Sequence, residues 1–300
     1  MIVLEEEQWW SRAIAHRKAA ESRTRGRLER QSAHVPNAME DFLYEYFPLR
    51  PGRFSVWHPG ISDNSGIGLR RPLHPEALAW WEKRSTDRWY VRDGDVVVLS
   101  PRYFAERAKG LTFQAQLQNK LLKREPRFSC FGWHEWAMVY HAPHLRHKLP
   151  LRLGREETDR VVEKAHIRCT HFDAFQFFHP DAIPLNATQP AYETVMDNEQ
   201  PGCIHVTMDL LRVCLQFAPL FPSEWAIEAY DVALAARRID QAASPYDSRS
   251  IGVEPIPVET AQGRAQYVAA QREAYTKGSA LRKKIADVLT NAVALSAPRS

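Results

Sequence analysis

The chain predicts a mainly α-helical protein, a single helical domain with one minor β-hairpin, and three observations predict it. Apolar residues recur at helical spacing over most of the 300 residues, with helix-start signals at Ser100-Pro101 and at Ser223 behind Pro222. A composition of 44% hydrophobic and 25% charged residues can bury a core without disulfides or structural metals, and it excludes disordered and fibrous classes. A β-hairpin signal is clear at one place only, Trp89-Tyr90-Val91-Arg92, Asp93-Gly94, then Asp95 to Leu99, where Asp-Gly suits a type I′ turn and β-branched residues follow.

The elements follow in order. Glu5 to about Gln31 reads as a basic surface helix or arm (residues 1–35), set before a helical domain over 36–300. Glu40 to Phe47 is a short amphipathic helix stopped by Pro48 and Pro51. Arg50 to Pro75, rich in Pro, Gly, Ser and His around Trp57-His58-Pro59-Gly60, reads as a long ordered loop, and Pro75 to Arg84 as a helix. After the hairpin come helices from Ser100-Pro101 to about Leu122, from Trp133 to Tyr140, from a Thr158 cap towards Lys164, from His205 to Leu215, and from Ser223 to about Ala242. Thr260 opens a last helical region past Ile285, with an interruption expected at Gly278.

Forty basic against thirty-six acidic residues give +4, too mild for a constitutive nucleic-acid coat, although Arg12 to Arg30 and Arg282-Lys283-Lys284 form local basic clusters. No apolar run approaches the roughly 18 residues that span a bilayer. The opening residues are acidic where a signal peptide is basic, and the four cysteines lack a C-x-x-C pair, so a reduced cytoplasmic setting with no membrane partner is expected.

Eight of the twelve histidines fall between His134 and His205, which places the chemistry in the central third. His134-Glu135 starts an H-E-x-x-H motif but Met138 stands where the second ligand belongs. His171-Phe172-Asp173 with His205, and Asp209 one turn beyond His205, has the composition of a two-His-one-carboxylate centre. The metal reading is therefore a divalent iron or zinc ion held by His134, His171, Asp173, His205 and Asp209 and acting on a small molecule. A second reading pairs carboxylates with aromatics: Glu135 lies between Trp133 and Trp136, Asp173 between Phe172 and Phe175, and Arg168 is a candidate partner for Asp173. Such residues can wall a pocket for a flat ring while a carboxylate faces the bond to be broken. A third possibility is a non-catalytic binding or scaffold protein with a His-rich core.

At Glu40-Asp41-Phe42-Leu43, Trp57-His58-Pro59-Gly60, Phe131 to Tyr140, Leu151-Arg152-Leu153-Gly154, Ile167 to Phe175 and Gln200 to His205, the sequence resembles a family from actinobacterial genomes whose members commonly carry the name 3-methyladenine DNA glycosylase. Further matching segments are Met208-Asp209-Leu210, Ser244-Pro245-Tyr246-Asp247 and Gly263-Arg264, so the resemblance runs from about 37 to 285. It implies metal-free release of alkylated adenine from duplex DNA, with the base flipped out and stacked. Asp173 and then Glu135 would be the essential carboxylates, with His171 and His134 as orienting partners. Trp133, Trp136, Phe172 and Arg168 would hold the base, favouring a cationic ring through cation–π attraction. The Leu-Pro-Gly-x-Gly hairpin of helix-hairpin-helix glycosylases is absent from the sequence.

Overall fold

The computed structural model describes residues 1–62 and 65–296. Helices hold 62% of it and strands 7%, so the chain is mainly α. The first helix, α1 (Glu6–Ser32), opens with a capping box between Glu5 and Gln8 and is followed by α2 (Asp41–Tyr46) and α3 (Pro51–Phe54). Helix α4 (Pro75–Ser85) begins on Pro75, and α5 (Pro101–Lys123) begins where the Ser100 hydroxyl accepts from the Arg102 amide. Then come α6 (Trp133–Val139), α7 (Arg155–Lys164), α8 (Phe172–Phe175) and α9 (Val195–Asn198). The last three are α10 (Ile204–Gln216), α11 (Ser223–Ala243) and α12 (Ala261–Ser296).

Four boundaries differ from expectation, each for a local reason. The hairpin strands are Tyr90–Asp93 and Val96–Leu99, with Asp93 paired to Val96, so Gly94-Asp95 forms the turn. Gly94 alone has positive φ (58°), the pattern of a II′ rather than a I′ turn. The hairpin also belongs to a larger sheet, because the expected loop over 50–75 contains Gly68–Arg70, which pairs antiparallel with Val96–Leu99 and parallel with Val3–Leu4. Asp63 and Asn64 of that stretch lie outside the described residues. Thr158 does not cap α7; Gly154 does, and the Thr158 hydroxyl donates back to the Gly154 carbonyl from within the helix.

The fourth difference is at Gly278, where α12 continues unbroken. Here glycine marks a close approach: a Cβ would stand 2.7 Å from Thr207 Cγ2 on α10. Gly278→Ala gains about 1 kcal/mol of helix propensity but incurs about 1–3 kcal/mol of overpacking. In urea unfolding it should destabilise the wild type by about 1 kcal/mol and stabilise a Thr207→Ser background, in which the obstructing methyl is gone. A destabilisation equal in both backgrounds would exclude this contact as the cause.

The main core lies among α5, α10, α11 and α12, with α12 running along α5 and α10 along α11. A second apolar cluster, Trp9, Trp57, Leu69, Trp81, Tyr90 and Val97, sits between the sheet, α1 and α4. Its indoles are satisfied: Trp9 donates to the Arg70 carbonyl, Trp81 to the Leu69 carbonyl and Trp57 to Glu224. Helix α1 is docked rather than detached. Arg12 pairs with Glu224 at 2.9 Å, Arg23 forms a two-pronged pair with Asp231, and Arg27 and Arg30 reach Asp41 and Glu40. No helix among the described residues is long and apolar enough to cross a membrane.

Candidate functional site

Helix α6 is the hinge of the site. It is entered through two left-handed residues, Phe131 (φ 51°) and Gly132 (φ 75°), and left through His141 (φ 53°). A β-carbon-bearing residue such as Phe131 adopts this region only at a cost, and such strain gathers at functional sites. The turn sets two successive residues, His134 and Glu135, towards α10 and α11 while Trp136 is pinned behind them by its indole N–H to the Ala243 carbonyl at 2.8 Å.

On α11 the apolar face formed by Ala229, Ala233, Ala236 and Ala243 is interrupted by Arg237, Asp240 and Gln241, all buried. Arg237 donates to Glu135 at 2.8 Å, to Asp240 at 2.5 Å and to Gln241 at 2.9 Å, with its guanidinium 4.4 Å from the centre of the Phe42 ring. Asp240 in turn faces His134 Nε2 at 3.0 Å and His205 Nε2 at 3.8 Å. His205, from the first turn of α10, meets the His134 ring edge-on with centroids 4.4 Å apart.

The chemistry of this triad follows from its burial. His134 Nε2 and Asp240 Oδ1 stand 3.0 Å apart as a buried ion pair, and neither of these atoms nor His134 Nδ1 has a well-aligned hydrogen-bond partner. Orphaned buried polar atoms of this kind call for an explanation. Donor atoms of His134, His205 and Asp240 all lie within 4.8 Å of one another, the one such group among the described residues.

Electrostatics is organised around the same carboxylate. Burial opposes charging Asp240, but His134 and Arg237 beside it hold it ionised, well below the usual carboxylate range. Burial likewise opposes charging His134, and Asp240 overrides it, lifting His134 to about 10. His205 goes the other way: burial, with His134 beside it, keeps it neutral with a free lone pair.

The remaining sequence candidates separate. His171 stacks on His205 with centroids 5.1 Å apart, but its Nδ1 bonds Glu199 at 2.9 Å and its Nε2 faces Asp209 at 3.8 Å, outside the triad. Asp173 is held by Arg212 at 2.5 Å, not by Arg168, which is exposed. Asp209 also faces Arg212, at 3.4 Å, so Asp240 rather than Asp173 or Asp209 supplies the triad's carboxylate. Asp240 and Arg237 had a readable signal, a charged pair one turn apart on an alanine-lined helix face.

A cavity of about 360 Å³ opens over the triad. His134, His205, Glu135, Arg237 and Asp173 are among its polar lining and Phe42, Tyr46, Met138 and Phe177 among its apolar lining, while Asp240 lies behind it. Of the aromatics expected to hold a ring, Trp136 is fully buried in the core, and Trp133 lines a different cavity with Phe131, Lys164, His166 and Arg264. Phe172 lines a third, smaller cavity beside His171 and Glu199. The phenylalanines and tyrosine on the cavity beside the triad are Phe42, Tyr46 and Phe177. Comparison with protein-family models, with curated proteins and with solved structures finds no match to this chain.

Proposed function

We propose that the protein is an enzyme that uses a divalent metal ion, iron or zinc, held by His134, His205 and Asp240, to act on a small molecule in the overlying cavity. The observation that carries this reading is the convergence of three buried donor groups beside a cavity lined by both histidines. One neutral imidazole (His205), a second that must release its proton as an ion binds (His134), and one carboxylate make a donor set that suits zinc or non-haem iron, and three protein ligands leave positions for water or substrate, as in catalytic sites. Arg237 fixes the Asp240 carboxylate and Gln241 steadies Arg237. Support of this kind around the ligands commonly governs metal affinity. An ion bound here would polarise a substrate oxygen or lower the pKa of a water molecule.

Metal analysis of protein purified without added metal tests the reading. About one iron or zinc per chain is expected, falling in His205→Ala. A wild-type protein with no metal, which also takes up neither ion on reconstitution, would overturn it.

The second reading, an alkyladenine N-glycosylase, keeps one specific support. Glu135 and Asp173 line the same cavity as Phe42, Tyr46 and Phe177. Both carboxylates are engaged by arginines, Arg237 and Arg212. Release of base from alkylated duplex DNA by metal-stripped protein, abolished in Asp173→Asn or Glu135→Gln, would establish it and displace the metal reading.

A further inference from the structure

The three consecutive residues Arg146, His147 and Lys148, in the connection between α6 and α7, all line the cavity above the triad. The other charges on that lining are largely neutralised within the protein. Asp41 is met by Arg27 and Arg30, Glu135 by Arg237, and Asp173 by Arg212. Among the described residues, neither Arg146 nor Lys148 has an acidic side chain within 4.0 Å, and Glu45 is the one carboxylate on the lining without a basic partner. Arg146 is nevertheless positioned: its guanidinium lies 4.6 Å from the centre of the Phe177 ring, which is itself part of the cavity wall. The arginines of α1 contrast with this, since Arg12, Arg23, Arg27 and Arg30 are engaged by Glu224, Asp231, Asp41 and Glu40.

We infer that the cavity selects a small molecule with an anionic head and an apolar, ring-sized body. Arg146 and Lys148 hold the carboxylate, phosphate or sulfonate, and Phe42, Tyr46 and Phe177 enclose the body, leaving its far end towards His134 and His205. The inference takes the position of the reacting end from the metal reading, while anion selection stands on Arg146 and Lys148 alone. Two exposed cations on the lining, without carboxylate partners, raise the local concentration of anions at the cavity. A cavity of this size belongs to the class that encloses small ligands. A nucleic-acid strand would need cations spread along a surface, whereas here they sit at adjacent positions on one connection.

A matched pair of dyes tests it on the full chain: anilinonaphthalenesulfonate and its uncharged parent phenylnaphthylamine, titrated by fluorescence. The sulfonate should bind at least roughly tenfold more tightly, with the advantage shrinking as salt is raised. It should vanish in Arg146→Ala/Lys148→Ala and persist in Arg88→Ala, a control at an exposed arginine paired elsewhere with Glu106. Bound sulfonate dye should be displaced by phenylbutyrate but not by phenylbutanamide. Equal affinity for both dyes, no binding of either, or an unchanged preference in the double variant would overturn the inference. Displacement by duplex DNA at lower phosphate concentration than by phenylbutyrate would overturn the small-molecule class. Repeating the titration on metal-stripped wild-type protein separates this claim from the metal reading: an intact dye preference is the expected result. A wild type that takes up neither iron nor zinc on reconstitution and still prefers the sulfonate would overturn the metal reading alone.

Discussion

On the metal reading, replacing Asp240 with asparagine should leave the purified protein with less than about a tenth of the wild-type metal, because it removes the one anionic ligand of the proposed centre. The same substitution should lower stability to urea by about 3 kcal/mol. Asp240 is completely buried, and with its charge gone Arg237 keeps Glu135 as its sole carboxylate partner. Breaking a buried charge pair typically costs about 3–5 kcal/mol, and the surviving Glu135 contact argues for the lower end. The two readouts answer different questions. Lost stability with retained metal would make Asp240 a counter-ion for Arg237 and remove it from the ligand set. Lost metal with a smaller stability change in Arg237→Lys would show that the carboxylate is needed at the centre and that its orientation depends on the planar guanidinium.

The second large effect is on the other cluster. His58 is buried between the sheet and the start of α11, with its Nδ1 2.7 Å from the Tyr90 hydroxyl, and its backbone amide donates to Ser223. Burial, with Arg84 and His16 adding positive charge nearby, lowers its pKa to about 3. An unfolded histidine titrates near 6.5, so between those values the unfolded chain binds a proton that the folded chain refuses. Stability is therefore fully present above about pH 6.5 and declines as the pH falls towards 3. The slope is at most about 1.4 kcal/mol per pH unit for this one group, about 2.7 kcal/mol by pH 4.5. His16, buried and in hydrogen-bond contact with the Phe54 carbonyl, is lowered for the same principal reason and adds in the same direction. Urea titrations between pH 7 and 4.5, followed by tryptophan emission, should show the decline, and His58→Gln should flatten it while lowering stability at pH 7. An identical slope in the variant would exclude His58 as its source.

Much of the fold was legible because long helices advertise themselves through spacing and caps. α5 begins at Ser100-Pro101 as read, and α11 at Ser223 behind Pro222. The four-stranded sheet was hidden because two of its strands, Val3–Leu4 and Gly68–Arg70, are too short to show alternation and exist through pairing with distant chain. Gly278 misled because a glycine demanded by a neighbouring helix has the same local appearance as a helix break. At the site, the crowding of histidines located His134 and His205 but could not choose among carboxylates. Asp173 and Asp209 were near in sequence, while Asp240 reached the centre from another helix. Which carboxylate meets which base is a property of helix packing, and Arg212 decided it for Asp173 as much as Asp240 did for the histidines.

The shortness of α6 has a consequence for how the protein acquires its centre. A seven-residue helix entered through two left-handed residues has little stability of its own, since isolated helices under about 12 residues are marginal in water. It must wait for α10 and α11 to dock before Trp136 finds the Ala243 carbonyl and His134 finds Asp240. On the metal reading, helical signal should thus recover ahead of ion uptake during refolding. Possession of the ion would then certify a finished molecule, with partly folded chains unable to hold it.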